Sequence, residues 1–205
     1  MKRMKFKAVE LSSLDEDTIQ NIRGWRNQDF VRQNMFCQDI IKSEEHNQWI
    51  QKLKADDNRN LFVFYLDDAP FGVVIYTYDT ENNRVETGFY LIKEEYQQMG
   101  YGVILSYFAS EIAYNVLGYD NGYGEILEHN KRVIRINRYI RKDIKKEQIN
   151  LNGREYDIKT VKGTRQSWND FEKHKLGMLV LKFVYEDYEV LRGKNTNTYK
   201  VSLKA

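Results

Sequence analysis

The chain has one cysteine, Cys37, and one proline, Pro70, among its 205 residues. A lone cysteine excludes an internal disulfide and a cysteine-based zinc site, and it fits a reducing compartment. With one proline and 12 glycines, no Pro- or Gly-rich linker divides the chain. No apolar run approaches the ~20 residues of a membrane-spanning helix. The basic opening, Met1 to Glu10, leads into neither a long apolar stretch nor a small-residue cleavage site, so no secretory leader is expected. Charge of one sign is missing too: 32 Lys and Arg face 30 Asp and Glu, a net +2. Such a balance argues against a general nucleic-acid coat. The expectation is a cytoplasmic protein with no membrane partner, no nucleic-acid partner and no metal.

What is present is an ordinary globular mix, 41% hydrophobic and 30% charged, at the length of one compact domain. It has one local exception. From Lys131 to Arg165 twelve Lys or Arg stand against four Asp or Glu. Arg132, Arg135, Arg138 and Arg141 recur at helical spacing there. A solvated helix face explains them; so does recognition of phosphates, which the planar guanidinium fork suits.

Periodicity orders the chain. Lys5 to Leu11 reads as a strand. Asp15 to Asp17 open a helix carrying Ile19, Ile22 and Trp25, a second helical stretch covers Phe30 to Cys37, and Ser43 opens a third with Trp49, Ile50 and Leu53. Asn60–Leu66, Phe71–Tyr78 and Arg84–Ile92 form three strands joined by turn residues, an antiparallel meander. A helix spans Tyr101 to Leu117 and ends at Gly118. Gly122–Leu127 is a short strand and Asn130–Ile140 a helix. Ile144–Leu151 and Arg154–Val161 flank Asn152-Gly153, a hairpin signal. Beyond Trp168 the pattern is mixed: Arg192–Thr198 is polar enough to fray, and Tyr199–Leu203 reads as a last strand. The class is α+β around one mixed sheet. Residues 1–170 make the main domain and 171–205 a C-terminal extension of it. Self-association through Lys175–Ala205, giving a homodimer, is a further expectation.

The stretch Gln97-Gln98-Met99-Gly100-Tyr101-Gly102 sits between a strand and a helix. Two glycines there let the backbone bend so that several N–H groups point one way, at a helix N-terminus that favours anions. Plain turn glycines are the alternative. No Gly-Lys-Ser/Thr follows, so it is not a P-loop, and the meander before it is not a dinucleotide-binding unit.

Gln97-x-x-Gly100-x-Gly102 resembles the pyrophosphate loop of GNAT N-acetyltransferases, and the element order from Lys5 to Trp168 is similar to that fold. The likeness implies a mostly antiparallel central sheet, flanked by helices and splayed in a V for acyl-CoA. Ile22-Arg23-Gly24-Trp25-Arg26-Asn27, Val31-Arg32, Met35, His46, Trp49, Val85–Tyr90 and Asn152–Asp157 resemble the nucleotide-sugar members of that family, of the pseudaminic acid pathway type. Ribosomal-protein acetyltransferases share part of the Trp-Arg-Asn region.

The resemblance implies acetyl-CoA as co-substrate and direct transfer to a primary amine, on a nucleotide-linked amino sugar or, as the alternative, on a peptide or ribosomal protein. A weakly catalytic acyl-CoA-binding domain is a third reading. Tyr90, Leu91 and Ile92 would pair with the pantetheine arm, and Gln97, Gln98, Met99, Gly100, Tyr101 and Gly102 would hold the pyrophosphate. Asn130 would touch the pantetheine as well as cap its helix. Trp25, Arg26, His46 and Trp49 would line the acceptor pocket. Glu86 is the candidate general base, and His46 its competitor. Direct transfer needs no thiol, so Cys37 is expected as a small buried side chain.

One departure concerns the general acid. Many members of the family place a Tyr seven residues after that Asn, where this chain has Asn137. Tyr139, the nearest substitute, is about 200° further round the helix and serves only if the register shifts. The thiolate would otherwise leave unassisted or through water.

Overall fold

The computed structural model describes residues 2–141 and 143–201. Nine strands form one sheet: β1 Met4–Glu10, β2 Arg59–Leu66, β3 Ala69–Asp79, β4 Arg84–Leu91, β5 Asn121–Leu127, β6 Asp143–Leu151, β7 Arg154–Thr164, β8 Val184–Arg192 and β9 Asn195–Lys200. Their spatial order is β6-β7-β5-β4-β3-β2-β1-β8-β9. Neighbours are antiparallel except β4–β5 and β1–β8. The helices are α1 Glu16–Arg26, α2 Asp29–Arg32, α3 Ser43–Lys54, α4 Tyr101–Glu111, α5 Lys131–Ile140, α6 Arg165–Asn169 and α7 Phe171–Val180. This is the expected mixed, mostly antiparallel sheet flanked by helices.

The middle of the sheet is buried on both faces. Leu61, Phe62, Val63 and Phe64 of β2 are all fully inaccessible, which is why that strand is an unbroken apolar run rather than an alternation. On one face α4 and α7 cover a core built on Phe6, Phe108, Tyr107 and Trp168. On the other, α1 and α3 bury Ile19, Ile22, Ile50 and Leu53 against Leu61, Val63 and Val73. Local signals set the boundaries. Asp15 caps α1 by accepting the Thr18 N–H at 2.7 Å, as short polar side chains do at helix starts. Asn152 and Gly153 carry φ of 53° and 79°, the two left-handed residues a tight hairpin turn requires.

Three segments depart from expectation. The second helix stops at Arg32, and the carbonyls that follow are taken by side chains, two of them distant in sequence: Gln33 O by His129, Phe36 O by Tyr156, Cys37 O by Arg26 and Gln38 O by Arg32. Cys37 is exposed rather than buried, since this segment runs over the surface. The long helix after the glycine loop passes into a π-helical turn, Ile112–Val116, closed by a Leu117 N–H to Ile112 O bond of 2.8 Å. The segment expected to fray is instead β9, paired with β8 from Arg192↔Asn195 to Asp187↔Lys200. Its polarity follows from its place at the sheet edge, where charged and polar side chains block further pairing. Leu203 lies outside the described residues.

One feature of the sheet positions the site. β4 and β5 pair only at Arg84↔Asn121, Val85↔Gly122 and Glu86↔Tyr123. Beyond Glu86, β4 stays with β3 up to Leu91↔Gly72 and β5 stays with β7 up to Leu127↔Ile158. The two strands part in a V.

Candidate active site

The V holds a cleft of about 830 Å³. One wall is Glu86–Leu91 of β4 and the other is Gly124–Leu127 of β5. α5 supplies a floor through Val133, Ile136, Asn137 and, just past its end, Arg141. The segment Gln33–Phe36 roofs it. His129 Nε2 lies 2.9 Å from Gln33 O, and the Tyr156 hydroxyl donates to Phe36 O at 2.9 Å. These bonds tie the roof across the V to the β5–α5 loop and to β7. The His129 contact is not legible in the sequence. Its bond spans 96 residues, and no local pattern signals that.

At the mouth the turn Gln98–Gly100 delivers the chain to α4. Gly100 has φ 81° and precedes the first helical residue, a conformation glycine adopts without penalty. The N–H groups of Met99, Gly100, Tyr101 and Gly102 make no backbone hydrogen bond among the described residues, whereas the Gln98 N–H is taken by Glu95 O at 3.1 Å. The run of N–H groups without a backbone partner therefore begins at Met99 and excludes Gln98. A Cβ at Gly102 would lie 3.8 Å from Ile136 and 3.9 Å from Leu91, so this position stands at the junction of α4, α5 and β4. Gln97 and Arg132 line the mouth in close contact with each other. Met99 is exposed, and Tyr101 packs its ring on Phe71 and Tyr96.

Along β4, Tyr90 and Leu91 line the cleft. Ile92 does not: its N–H donates to Phe71 O at 3.1 Å, and its carbonyl accepts from Gln28 Nε2 at 2.7 Å. Both backbone groups are engaged, so Ile92 cannot pair with a ligand. Asn130 lines the cleft and caps α5, its Oδ1 accepting the Val133 N–H at 3.3 Å.

At the closed end stands Glu86. Glu86 is exposed to solvent through the cleft, and the surrounding walls desolvate it only in part. That burial, and then the charge of Glu125, raise its carboxyl above the ordinary range, against Arg59, Arg84 and Arg141. Glu125, also in the wall, accepts the Tyr123 hydroxyl at 2.8 Å. Two carboxylates facing one cavity, with Glu86 raised above the ordinary carboxylate range, suit a proton acceptor.

The other candidates are not brought to this cleft. His46 is 2% exposed and its Nε2 lies 2.9 Å from Ile19 O. Burial pushes its imidazole below the usual value. It joins α3 to α1, so packing rather than chemistry explains it. Trp25 and Trp49 pack on the core between these helices and the sheet. Arg26 is half-buried behind the roof, donating to Cys37 O at 2.7 Å. Tyr139 is 46% exposed and outside the cleft wall, while Asn137, two residues earlier, is buried in it and donates to Val133 O at 3.0 Å. The register does not shift, so Tyr139 cannot supply the acid at this cleft. Of the basic helical stripe, Arg135 and Arg138 are solvated, and only Arg132 and Arg141 line the cleft, at opposite ends of the helix. No helix among the described residues is long and apolar enough to cross a membrane.

A V-shaped parting of two parallel strands with a glycine turn at its mouth is the architecture the family resemblance implied. The family model of the acetyltransferase (GNAT) family matches residues 19–136. The chain belongs to that family and is an acetyl-CoA-dependent N-acetyltransferase. No curated protein matches it. Solved structures of similar fold include the N-acetyltransferase PseH of Campylobacter jejuni in complex with acetyl coenzyme A, at TM-score 0.56 and 18% identity over 78% of this chain and 98% of that one. The spermidine N-acetyltransferase of Vibrio cholerae in complex with CoA and spermine gives TM-score 0.67 and 16% identity, over 82% of this chain and 99% of that one. A domain from Methanocaldococcus jannaschii gives TM-score 0.60 and 18% identity, over 78% and 99%. At such identities the likeness is one of fold.

Proposed function

We propose that this protein transfers the acetyl group of acetyl-CoA directly to the primary amine of a nucleotide-linked amino-deoxy sugar. The observation that carries the donor half is the parting of β4 from β5 beyond Glu86, with N–H groups from Met99 to Gly102 at its mouth that have no backbone partner among the described residues. Those N–H groups and Arg132 take the pyrophosphate. Tyr90 and Leu91 offer β4 backbone to the pantetheine, and Asn130 meets it from the other side. A β4 N–H left unpaired by β5 points at the thioester oxygen and stabilises the developing oxyanion.

The ammonium of the acceptor passes a proton to Glu86, directly or through water, and the free amine attacks the thioester carbon. Holding both reactants in one cleft supplies much of the acceleration. Cys37 is outside the cleft wall and plays no part. In this reading residues 1–170 are the acetyltransferase domain and 171–205 its extension, and the protein works in the cytoplasm.

The sugar reading rests on the likeness of the N-terminal third and on the aromatic wall of Phe30, Phe36, Phe89 and Tyr90, which suits a sugar face or a base. A second reading has its own support: Glu86 and Glu125 together favour a polycationic amine, and one solved relative in fold is a spermidine acetyltransferase. A panel of UDP- and dTDP-amino sugars, spermidine and N-terminal peptides, each with acetyl-CoA and free-thiol detection, decides between them. Thiol release with an amino sugar alone supports the first reading; release with spermidine and not with any sugar overturns it.

A further inference from the structure

Asn137 stands where the family resemblance would put an acid for the leaving sulfur, and Tyr139 points away. One helical turn beyond Asn137, on the same face, is Arg141. The Arg141 N–H donates to Asn137 O at 2.7 Å. Both residues line the cleft.

Arg141 is 5% exposed, and its Nε and Nη1 are buried with no hydrogen-bond partner among the described residues. Burying a guanidinium without partners is costly, so a fold that keeps one there gains from it elsewhere. The socket around it is specific. Gly122 and Gly163 face each other across β5 and β7. A Cβ at Gly122 would sit 2.9 Å from Arg141 Nη1 and collide with the Tyr114 hydroxyl. A Cβ at Gly163 would lie 3.3 Å from Arg141 Cγ. The two glycines thus leave room beside the point where β4 and β5 part, and the guanidinium fills it. The groups that act on Arg141 are the Tyr114 hydroxyl from the π-helical turn and Glu86 from β4, with Glu125 of β5 acting on Glu86. The Tyr114 hydroxyl likewise has no hydrogen-bond partner among the described residues.

We propose that Arg141 is a catalytic residue that receives the coenzyme A thiolate as the acetyl group leaves, doing by charge what an acid does by proton transfer. This rests on the acetyl-CoA reading above. The amine nitrogen forms its bond to the acetyl carbon, the carbon–sulfur bond breaks, and its electron pair goes to sulfur. The attacking ammonium gives up two protons in all, the first to Glu86 and the second to solvent. The sulfur stays anionic against the guanidinium until water protonates it. Charge-assisted donors of this kind are stronger than neutral ones, and a side chain that cannot lose its proton cannot serve as the acid itself.

The test is an ultraviolet titration of the thiol of bound CoA in the wild-type protein, with Arg141→Lys, Arg141→Gln and Glu86→Gln alongside. In the wild type the bound thiol should titrate about one pKa unit or more below that of free CoA, a tenfold gain in thiolate. Arg141→Gln should return it to the free value, Arg141→Lys should fall between, and Glu86→Gln should lower it further. Turnover of Arg141→Gln should drop by about 10²–10³, with KM for acetyl-CoA little changed. A wild-type thiol that titrates as in free CoA overturns the proposal even if the variants fail to fold. So does an Arg141→Gln that loses turnover without moving the titration, for that marks a structural plug. CoA that does not bind the wild type at all overturns the donor reading itself, and this inference with it.

Discussion

Lys173 Nζ lies 3.1 Å from Glu111 Oε2, with both side chains inside the core. The same carboxylate oxygen accepts the Trp168 indole N–H at 3.0 Å, and the Lys173 ammonium stands 5.5 Å from the Trp168 ring centroid. This network joins α4 to α6 and α7. Removing one partner of a buried ion pair strands the other's charge. Lys173→Ala should therefore lower unfolding stability by about 3–5 kcal/mol in urea. The double substitution Lys173→Met with Glu111→Gln should recover most of that loss. Additive losses in the pair would mean that the two groups do not interact.

Glu86 gives the pH dependence. Its carboxyl is raised, first by burial and then by Glu125, so kcat/KM should climb with pH through a midpoint above the ordinary carboxylate range. Glu86→Gln should remove that limb and lower kcat by about 10²–10⁴. Stability should move the opposite way. A raised carboxyl binds its proton more tightly folded than unfolded, so it stabilises below the unfolded pKa and loses that contribution as pH rises through the folded one. Glu86→Gln should therefore melt no lower than the wild type at neutral pH. A large loss of Tm there would show that Glu86 is structural.

The glycine socket can be tested by addition. Gly122→Ala would drive a methyl into the Tyr114 hydroxyl and toward Arg141. Overpacking of this kind costs about 1–3 kcal/mol. Tyr114→Phe removes the colliding oxygen and should rescue much of the loss when combined with Gly122→Ala, as read by thermal melts of the four proteins in the cycle. Absence of rescue would place the strain at Arg141 instead.

The C-terminal hairpin is the fourth target. β8 pairs with β1 in parallel, from Met4↔Val184 to Val9↔Leu191, and Leu176 and Val180 of α7 belong to the main core. Ending the chain at residue 170 would bare the β1 edge and those core neighbours, so the truncated protein should aggregate or lose cooperative melting. If it stays folded with an unchanged mass in solution, neither the packing of this segment nor self-association through it holds.

Much of the fold was legible because its signals are local. The apolar runs of β2 and β3, the Asp15 cap of α1, the Asn152-Gly153 turn and the glycines at 100 and 102 each act within a few residues. What escaped was set by distant partners. The segment after Arg32 looked helical until side chains from β7 and the β5–α5 loop claimed its carbonyls. β9 looked too polar for a strand because an edge strand is polar on purpose. In the site, the motif pointed to the turn before α4, and Glu86, chosen separately as the candidate base, lies in the cleft wall. Trp25, His46 and Trp49, chosen by resemblance, turned out to pack α1 and α3. Arg141 was counted in a stripe that fits either a solvated face or phosphate recognition, since nothing in the spacing of four arginines tells which one meets a glycine socket in another strand.

The central claim is direct transfer in the V between β4 and β5. Its most direct measurement is CoA thiol release from acetyl-CoA in the presence and absence of amine acceptors, with the acetylated product weighed by mass spectrometry. Release that depends on a primary amine, matched one for one by acetylated amine and slowed by about 10²–10⁴ in Glu86→Gln, is the predicted result. Tight binding of acetyl-CoA with no amine-dependent thiol release across the panel would contradict it.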